Sequence, residues 1–158
     1  MAYQDELLEL ASDLVSRPNA TQAELRRAVS TAYYAIFHLL VGETTLNWNR
    51  TSTRNALGRM FDHGLMKRVS DRVSDSKRMP FTGEDARIVS SLRFVAGIFV
   101  ELQDLRHTAD YDNGTVWALS DASDAVEKAT EAFVAWDRIR HTDIAQEYLV
   151  SLLIRPRD

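Results

Sequence analysis

The chain has 158 residues, of which 45% are hydrophobic and 27% charged, with no cysteine and a net charge of −4. That is the size and balance of one globular domain, and it excludes low-complexity chains, disulfide frameworks, thiolate metal centres and cysteine nucleophiles. No apolar run approaches the length of roughly 18 residues that a membrane span needs. The acidic opening of the chain lacks the apolar stretch of a secretory signal, so a cytoplasmic protein without membrane association is expected.

Helical periodicity runs through the chain, and strand-like alternation is scarce. A first helix is predicted over about Tyr3–Ser16, with Leu7, Leu8, Ala11, Leu14 and Val15 on one face. Pro18 disfavours helical geometry at Arg17 and ends it. Thr21 and Glu24 then form a capping-box pair that opens a second helix, running to about Glu43. Leu25, Val29, Ala32, Ile36 and Leu39 make one apolar stripe, and Tyr33, Phe37 and Leu40 make a second beside it. A helix apolar on so many sides belongs in the middle of a bundle.

A polar connection is predicted at Gly42–Thr53, followed by a basic amphipathic helix over about Ser52–Ser76 with Leu57, Phe61, Leu65, Val69 and Val73 inward. Met79–Gly83 breaks the chain again. The next helix, about Glu84–Asp110, carries the most regular seam: Ile88, Leu92, Val95, Phe99 and Leu102 at spacings of four and three. Asp112-Asn113-Gly114 ends it. Ser120 is the expected cap of a further helix with Ala122, Val126, Ala129, Phe133 and Trp136 inward, and a short helix over about Asp143–Ile154 precedes a frayed tail at Arg155–Asp158. The expectation is a single all-α domain over residues 1–158, an up-and-down bundle of five to six helices.

Charge is uneven along the chain. Residues 51–80 hold seven basic side chains (Arg54, Arg59, Lys67, Arg68, Arg72, Lys77, Arg78) against three acidic ones (Asp62, Asp71, Asp75). Such a stretch is either a solvated helix face or a surface that meets anions.

Arg106 is the most informative single residue, because the apolar seam of the long helix extrapolates onto it. A guanidinium on a buried seam needs a partner, and Asp110 stands one turn further on. Two readings fit: a structural ion pair closing the bundle end, or an arginine that binds phosphate or carboxylate in a polar pocket. Tyr111, Tyr34, His38 and Arg27 complete the candidate set, with Arg27, Tyr34 and His38 on one strip of the second helix, Arg27 two turns before Tyr34 and three before His38. Arg106, Asp110 and Tyr111 are the candidates for any catalytic role, and none of them makes a nucleophile or acid–base pair evident by spacing alone. The histidines His38, His63, His107 and His141 are scattered and no Glu-x-x-His occurs, so no metal and no cofactor is expected. Glycine-rich phosphate loops and the GxSxG nucleophile turn are absent.

Two segments together resemble a known family. Leu25-Arg-Arg-Ala-Val-Ser-Thr-Ala-Tyr-Tyr-Ala-Ile-Phe-His38 is similar to the signature helix of bacterial HEPN-domain proteins, and Leu105-Arg-His-Thr-Ala-Asp-Tyr-Asp112 resembles the end of their later long helix, in the subgroup that reads Arg-x-x-Ala-Asp-Tyr. The resemblance implies a helical bundle that pairs into a homodimer; the second helix also carries more apolar stripes than one bundle helix needs, so the second and the later long helix are the expected contributors to the interface. It implies a role beside RNA or nucleotides, in toxin–antitoxin pairs, defence modules or alongside minimal nucleotidyltransferases, with a nucleotidyltransferase or antitoxin as protein partner. Many members are metal-independent ribonucleases that carry an arginine followed, after four to six residues, by a histidine. Arg106 matches the arginine, whereas Tyr111, Asp112 and Asn113 occupy the histidine positions. The expectation is therefore a non-catalytic HEPN-like module that binds a protein partner, nucleotide or RNA, with a ribonuclease rearranged around Arg106 as the alternative.

Overall fold

The computed structural model describes residues 1–155 and residue 157, so part of the expected frayed tail, Pro156 and Asp158, lies outside the described residues. Among the described residues all regular structure is helical: α1 (Tyr3–Ser16), α2 (Gln22–Leu46), α3 (Arg54–Gly58), α4 (His63–Ser74), α5 (Ala86–Tyr111), α6 (Leu119–Ile139) and α7 (Asp143–Ser151), with a 3-10 turn at Thr51–Thr53.

α1 and α2 start where the sequence places them. Asn19 takes a positive φ of 53° in the turn between them, a conformation asparagine tolerates better than most residues. The Thr21 hydroxyl accepts the Glu24 amide at 3.2 Å, and the Glu24 carboxylate accepts the Thr21 amide at 2.9 Å. α2 continues three residues past the expected Glu43. α5 begins two residues later than expected, because Asp85 is its cap rather than part of its first turn: its carboxylate accepts the Arg87 amide at 2.8 Å. Gly83, with φ of 78°, makes the bend before it. α6 starts at Leu119 rather than after Ser120, as the Asp121 carboxylate reaches back to the Ala118 amide. α7 stops at Ser151, three residues short of expectation.

The predicted helix Ser52–Ser76 is two helices, which raises the count to seven. The break spans Arg59–Asp62. It forms because Asp62 caps a new helix, its carboxylate accepting the Leu65 amide at 2.8 Å. The apolar spacing Leu57–Phe61–Leu65 runs across this break without a continuous helix beneath it.

α2 is the hub, packed against α1, α5 and α6 and touched by α3 and α7. Its apolar stripes are covered within the chain itself: Ala28, Val29, Ala32, Tyr33, Ala35, Ile36 and Leu40 have no exposed surface. These stripes are therefore accounted for without a second copy. Side-chain pairings give the directions. Arg26 meets Ala109 and Tyr33 meets Phe99, so α2 and α5 are antiparallel. Gln22 meets Trp117 and Glu43 meets Arg140, so α2 and α6 are parallel. The expected alternation of directions holds for α1, α2, α5 and α6 and is interrupted at α4. Lys67 pairs with Asp104 and the Val73 carbonyl with Arg93, so α4 also runs antiparallel to α5 and therefore parallel to α2. The segment from Asn47 to Asp62 climbs back along the bundle to allow this, and it delivers His63 to the middle of α2.

Candidate functional site

The C-terminal end of α5 is fixed from α2. The Arg26 guanidinium donates to the carbonyls of Ala109 at 2.9 Å, Asp112 at 2.8 Å and Thr115 at 2.6 Å. One side chain thus satisfies a carbonyl of the last helical turn, that of the cap and one in the turn that follows. The Gln22 amide holds Trp117 by two bonds, at 2.7 and 2.8 Å, and the Asp112 carboxylate folds the turn onto Gly114 and Thr115. Arg106 sits one turn inside this anchored end.

The Arg106 side chain is 13% exposed. Its guanidinium carbon lies 5.1 Å from the centre of the Tyr33 ring and 5.8 Å from that of Tyr34, so it rests on the faces of two tyrosines. Its ion partner is Asp110, at 3.8 Å, whose other contact is the Ser30 hydroxyl at 3.3 Å. The pair is long for a charge-assisted hydrogen bond. The Arg106 Nε is buried and has no hydrogen-bond partner among the described residues. A nearly buried cation with a loose partner keeps donor capacity for a further acceptor, although its Nε is itself enclosed by protein. An open groove of about 390 Å³ leads to it between α4 and α5, lined by Lys67, Gln103, Asp104, Arg106, His107 and Thr108.

Behind Arg106 lies a second contact that the sequence does not announce. The Tyr33 hydroxyl and the His63 Nδ1 are 2.6 Å apart. The His63 ring stacks on Phe37 at 4.3 Å and 15°, with Tyr34 edge-on beside it at 6.2 Å. Burial holds the His63 pKa below the ordinary imidazole value, and the positive charge of Arg106 pushes it the same way, against a smaller opposing pull from Asp62. Burial likewise raises the Tyr33 phenol, with Arg106 opposing. At neutral pH the pair is a neutral imidazole hydrogen-bonded to a neutral phenol.

Of the residues singled out from the sequence, Arg106, Asp110 and Tyr34 come together. His38 is one turn further along α2, wedged edge-on between Tyr3 at 4.8 Å and Phe37 at 5.1 Å. It touches the aromatic cluster and not Arg106, and burial lowers its pKa. Tyr111 does not join the pocket: it is 67% exposed and leans on His107 at 5.0 Å, because the helix turn that carries it points away from α2. Arg27 is also exposed and remote; its neighbour Arg26 is the arginine that α2 turns toward α5. Tyr33, His63 and Ser30 are the additions. The nearest signal for His63 is its place directly after Asp62, a residue type that starts helices.

Among the described residues no group of three His, Asp or Glu side chains is placed to hold a metal ion, and no helix is long and apolar enough to cross a membrane. No family model, no curated protein and no solved structure matches the chain.

Proposed function

We propose that the chain is a HEPN-like module that recognises a phosphate of RNA or of a nucleotide at Arg106 and does not cleave it. The observation that carries this reading is the Arg106 guanidinium: almost buried, seated on Tyr33 and Tyr34, loosely paired at 3.8 Å and open to a groove whose other cation, Lys67, is already paired with Asp104. The resemblance of residues 25–38 and 105–112 to the HEPN motifs supports the same reading, as does the absence of histidine at positions 111 to 113. Binding of a fluorescent RNA oligonucleotide tests it. Affinity is expected to fall by roughly a hundredfold in Arg106→Ala, the loss of one charge-assisted bidentate contact, with little recovery in Arg106→Lys.

The second reading, a metal-independent ribonuclease, rests on His63. It lies behind Tyr33 near Arg106 and is neutral at physiological pH, as a proton acceptor must be. RNA cleavage in EDTA that disappears in both Arg106→Ala and His63→Ala decides for it.

The module also acts as a homodimer in this proposal, placed in a toxin–antitoxin or defence system with a protein partner such as an antitoxin or nucleotidyltransferase. With α2 enclosed, the dimer contact falls on α5 and α6, where Phe94 and Val134 stay 38% and 49% exposed. Sedimentation at tens of micromolar that gives a monomer mass overturns the dimer; a pull-down from the native host identifies the protein partner.

A further inference from the structure

The basic stretch of residues 51–80 takes no part in the Arg106 site beyond Lys67. Its other half faces a different cavity. Between α4 and the segment after α7 lies a hollow of about 270 Å³. Its floor is apolar, made by Leu65, Val69, Val73 and Met79, and its rim carries Arg68, Arg72 and Arg155. Three guanidiniums thus surround one apolar cavity. The acidic side chain beside them is Asp62, which pairs with Arg155 at 3.5 Å and is held below the usual carboxylate range by its bond to the Leu65 amide and by the charges of Arg155 and Arg68. Arg68 and Arg72 make no side-chain hydrogen bond or ion pair among the described residues. They stand four residues apart on α4, so both heads project from the same side of the helix.

A second, smaller hollow shares part of the cavity's lining. Val73, Met79 and Ser151 also line this smaller, mostly apolar recess of about 50 Å³, which Phe81, Leu92, Ile144 and Tyr148 complete, with Glu147 at its edge. The wall between the two is pinned. Arg93 donates to the Val73 carbonyl at 2.8 Å and the Met79 carbonyl at 2.9 Å, and lies 5.0 Å from the centre of the Phe81 ring. Arg93 thus fixes the backbone positions of two residues that line both the hollow and the recess.

A cationic rim, an apolar floor and an adjoining, mostly apolar recess match one ligand shape: an anionic head on an apolar tail. We infer that this cavity is a second binding site, for a small amphiphile with a carboxylate or phosphate head, distinct from the Arg106 site. The head meets Arg68 and Arg72, which recognise planar oxyanions through paired N–H donors. The tail lies over Val69 and Val73 and enters the recess past Met79. Burial of the tail supplies affinity, and the arginines fix the direction of entry.

Calorimetric titration with decanoate, decyl phosphate, decanol and acetate, each below its aggregation threshold, tests the site on the full chain. Decanoate or decyl phosphate is expected to bind at one site per chain, the tighter of the two naming the head group. Decanol, which has the tail without the charge, and acetate, which has the charge without the tail, are each expected to bind at least roughly tenfold more weakly. The double variant Arg68→Gln/Arg72→Gln, altered at exposed positions, is expected to keep its melting temperature and lose roughly tenfold or more in decanoate affinity. Val69→Trp, which fills the floor from a half-buried position, is expected to block the tail. Failure of both decanoate and decyl phosphate to bind, equal binding of decanol, unchanged affinity in the double variant, or uptake of the chain only onto anionic vesicles overturns the inference.

Discussion

Arg106 and His63 meet opposite parts of one side chain: the guanidinium rests on the Tyr33 ring at 5.1 Å, and the imidazole bonds the Tyr33 hydroxyl at 2.6 Å. Tyr33 has no exposed surface, so each contact is made inside the protein, where charge and hydrogen bonding are weakly screened. The tyrosine links α5, which carries the arginine, to the first residue of α4, which is the histidine.

Tyr33→Phe separates these two roles. It keeps the ring beneath Arg106 and removes the bond to His63. The buried imidazole nitrogen then loses its partner, and stability is expected to fall by about 1–2 kcal/mol. Urea denaturation measures this, and RNA affinity is expected to change much less than in Arg106→Ala. A Tyr33→Phe variant as stable as the parent chain removes the hydrogen bond from the account of the fold.

The histidines give the pH dependence a definite sign. His63 and His38 both have folded pKa values below the ordinary 6.5, mainly through burial. Each binds its proton more readily in the unfolded chain. The stability they support is fully present above pH 6.5 and is lost as pH falls from there through their folded pKa values. Below that window Glu24, Asp62 and Asp112, whose pKa values are lowered by hydrogen bonds to backbone and side chains, act in the same direction as they protonate. Denaturation curves from pH 7.5 down to pH 5 are expected to show falling stability, with a shallower fall in His63→Gln. A flat profile over that range contradicts the assignment of neutral, buried imidazoles.

The long helices are legible in the sequence because their apolar spacing and caps agree: Thr21 with Glu24 opens α2, and the seam from Ile88 to Leu102 runs along α5. Arg106 and Asp110 are legible for the same reason, being four residues apart on one helix. The aromatic half of the site is not. Tyr33 and His63 are 30 residues apart, and their meeting depends on the break at Arg59–Asp62, where apolar spacing continues across a gap between helices. Arg27 shows the converse: Arg26, seven residues before Tyr33 on the stripe of Tyr33 and Phe37, is the arginine turned toward α5, whereas Arg27 on the strip of Tyr34 stays exposed.

Asp62 tests the break itself. Its carboxylate caps α4 and thereby sets the position of His63. Asp62→Ala is expected to cost about 1 kcal/mol, the usual loss for a helix cap. Because the cap orders the start of α4, the His63 ring resonances are expected to shift by NMR, which loss of an unrelated surface charge does not produce.

Arg140 and Glu43 tie the C-terminal ends of α6 and α2 through two bonds, at 2.7 and 3.1 Å. Glu43 is only 10% exposed and Arg140 32%, so the carboxylate is the deeper partner. Arg140→Ala leaves that carboxylate unpaired and is expected to cost about 2–3 kcal/mol, discounted for the exposure of the arginine. Glu43→Gln with Arg140→Ala is expected to recover part of the loss, since the buried charge is then gone. A double-mutant cycle by urea denaturation reads the coupling.

Arg106→Ala distinguishes a structural ion pair from an anion site. Were Arg106 and Asp110 a tight buried pair, its removal would cost about 3–5 kcal/mol, because a buried carboxylate would stand alone. The geometry is different. The separation is 3.8 Å, the Asp110 side chain is 29% exposed, and Ser30 still donates to it when the arginine is gone. What disappears is the contact with Tyr33 and Tyr34 and the packing of the arginine stem, which sets an expected cost of about 1–2 kcal/mol. Ligand dependence carries the sharper contrast. RNA or nucleotide is expected to raise the melting temperature of the parent chain and to leave that of Arg106→Ala unchanged, since only a chain that binds in its folded state is stabilised by mass action. A loss of several kcal/mol in Arg106→Ala, with no ligand effect on either protein, assigns Arg106 to the fold and removes the binding role.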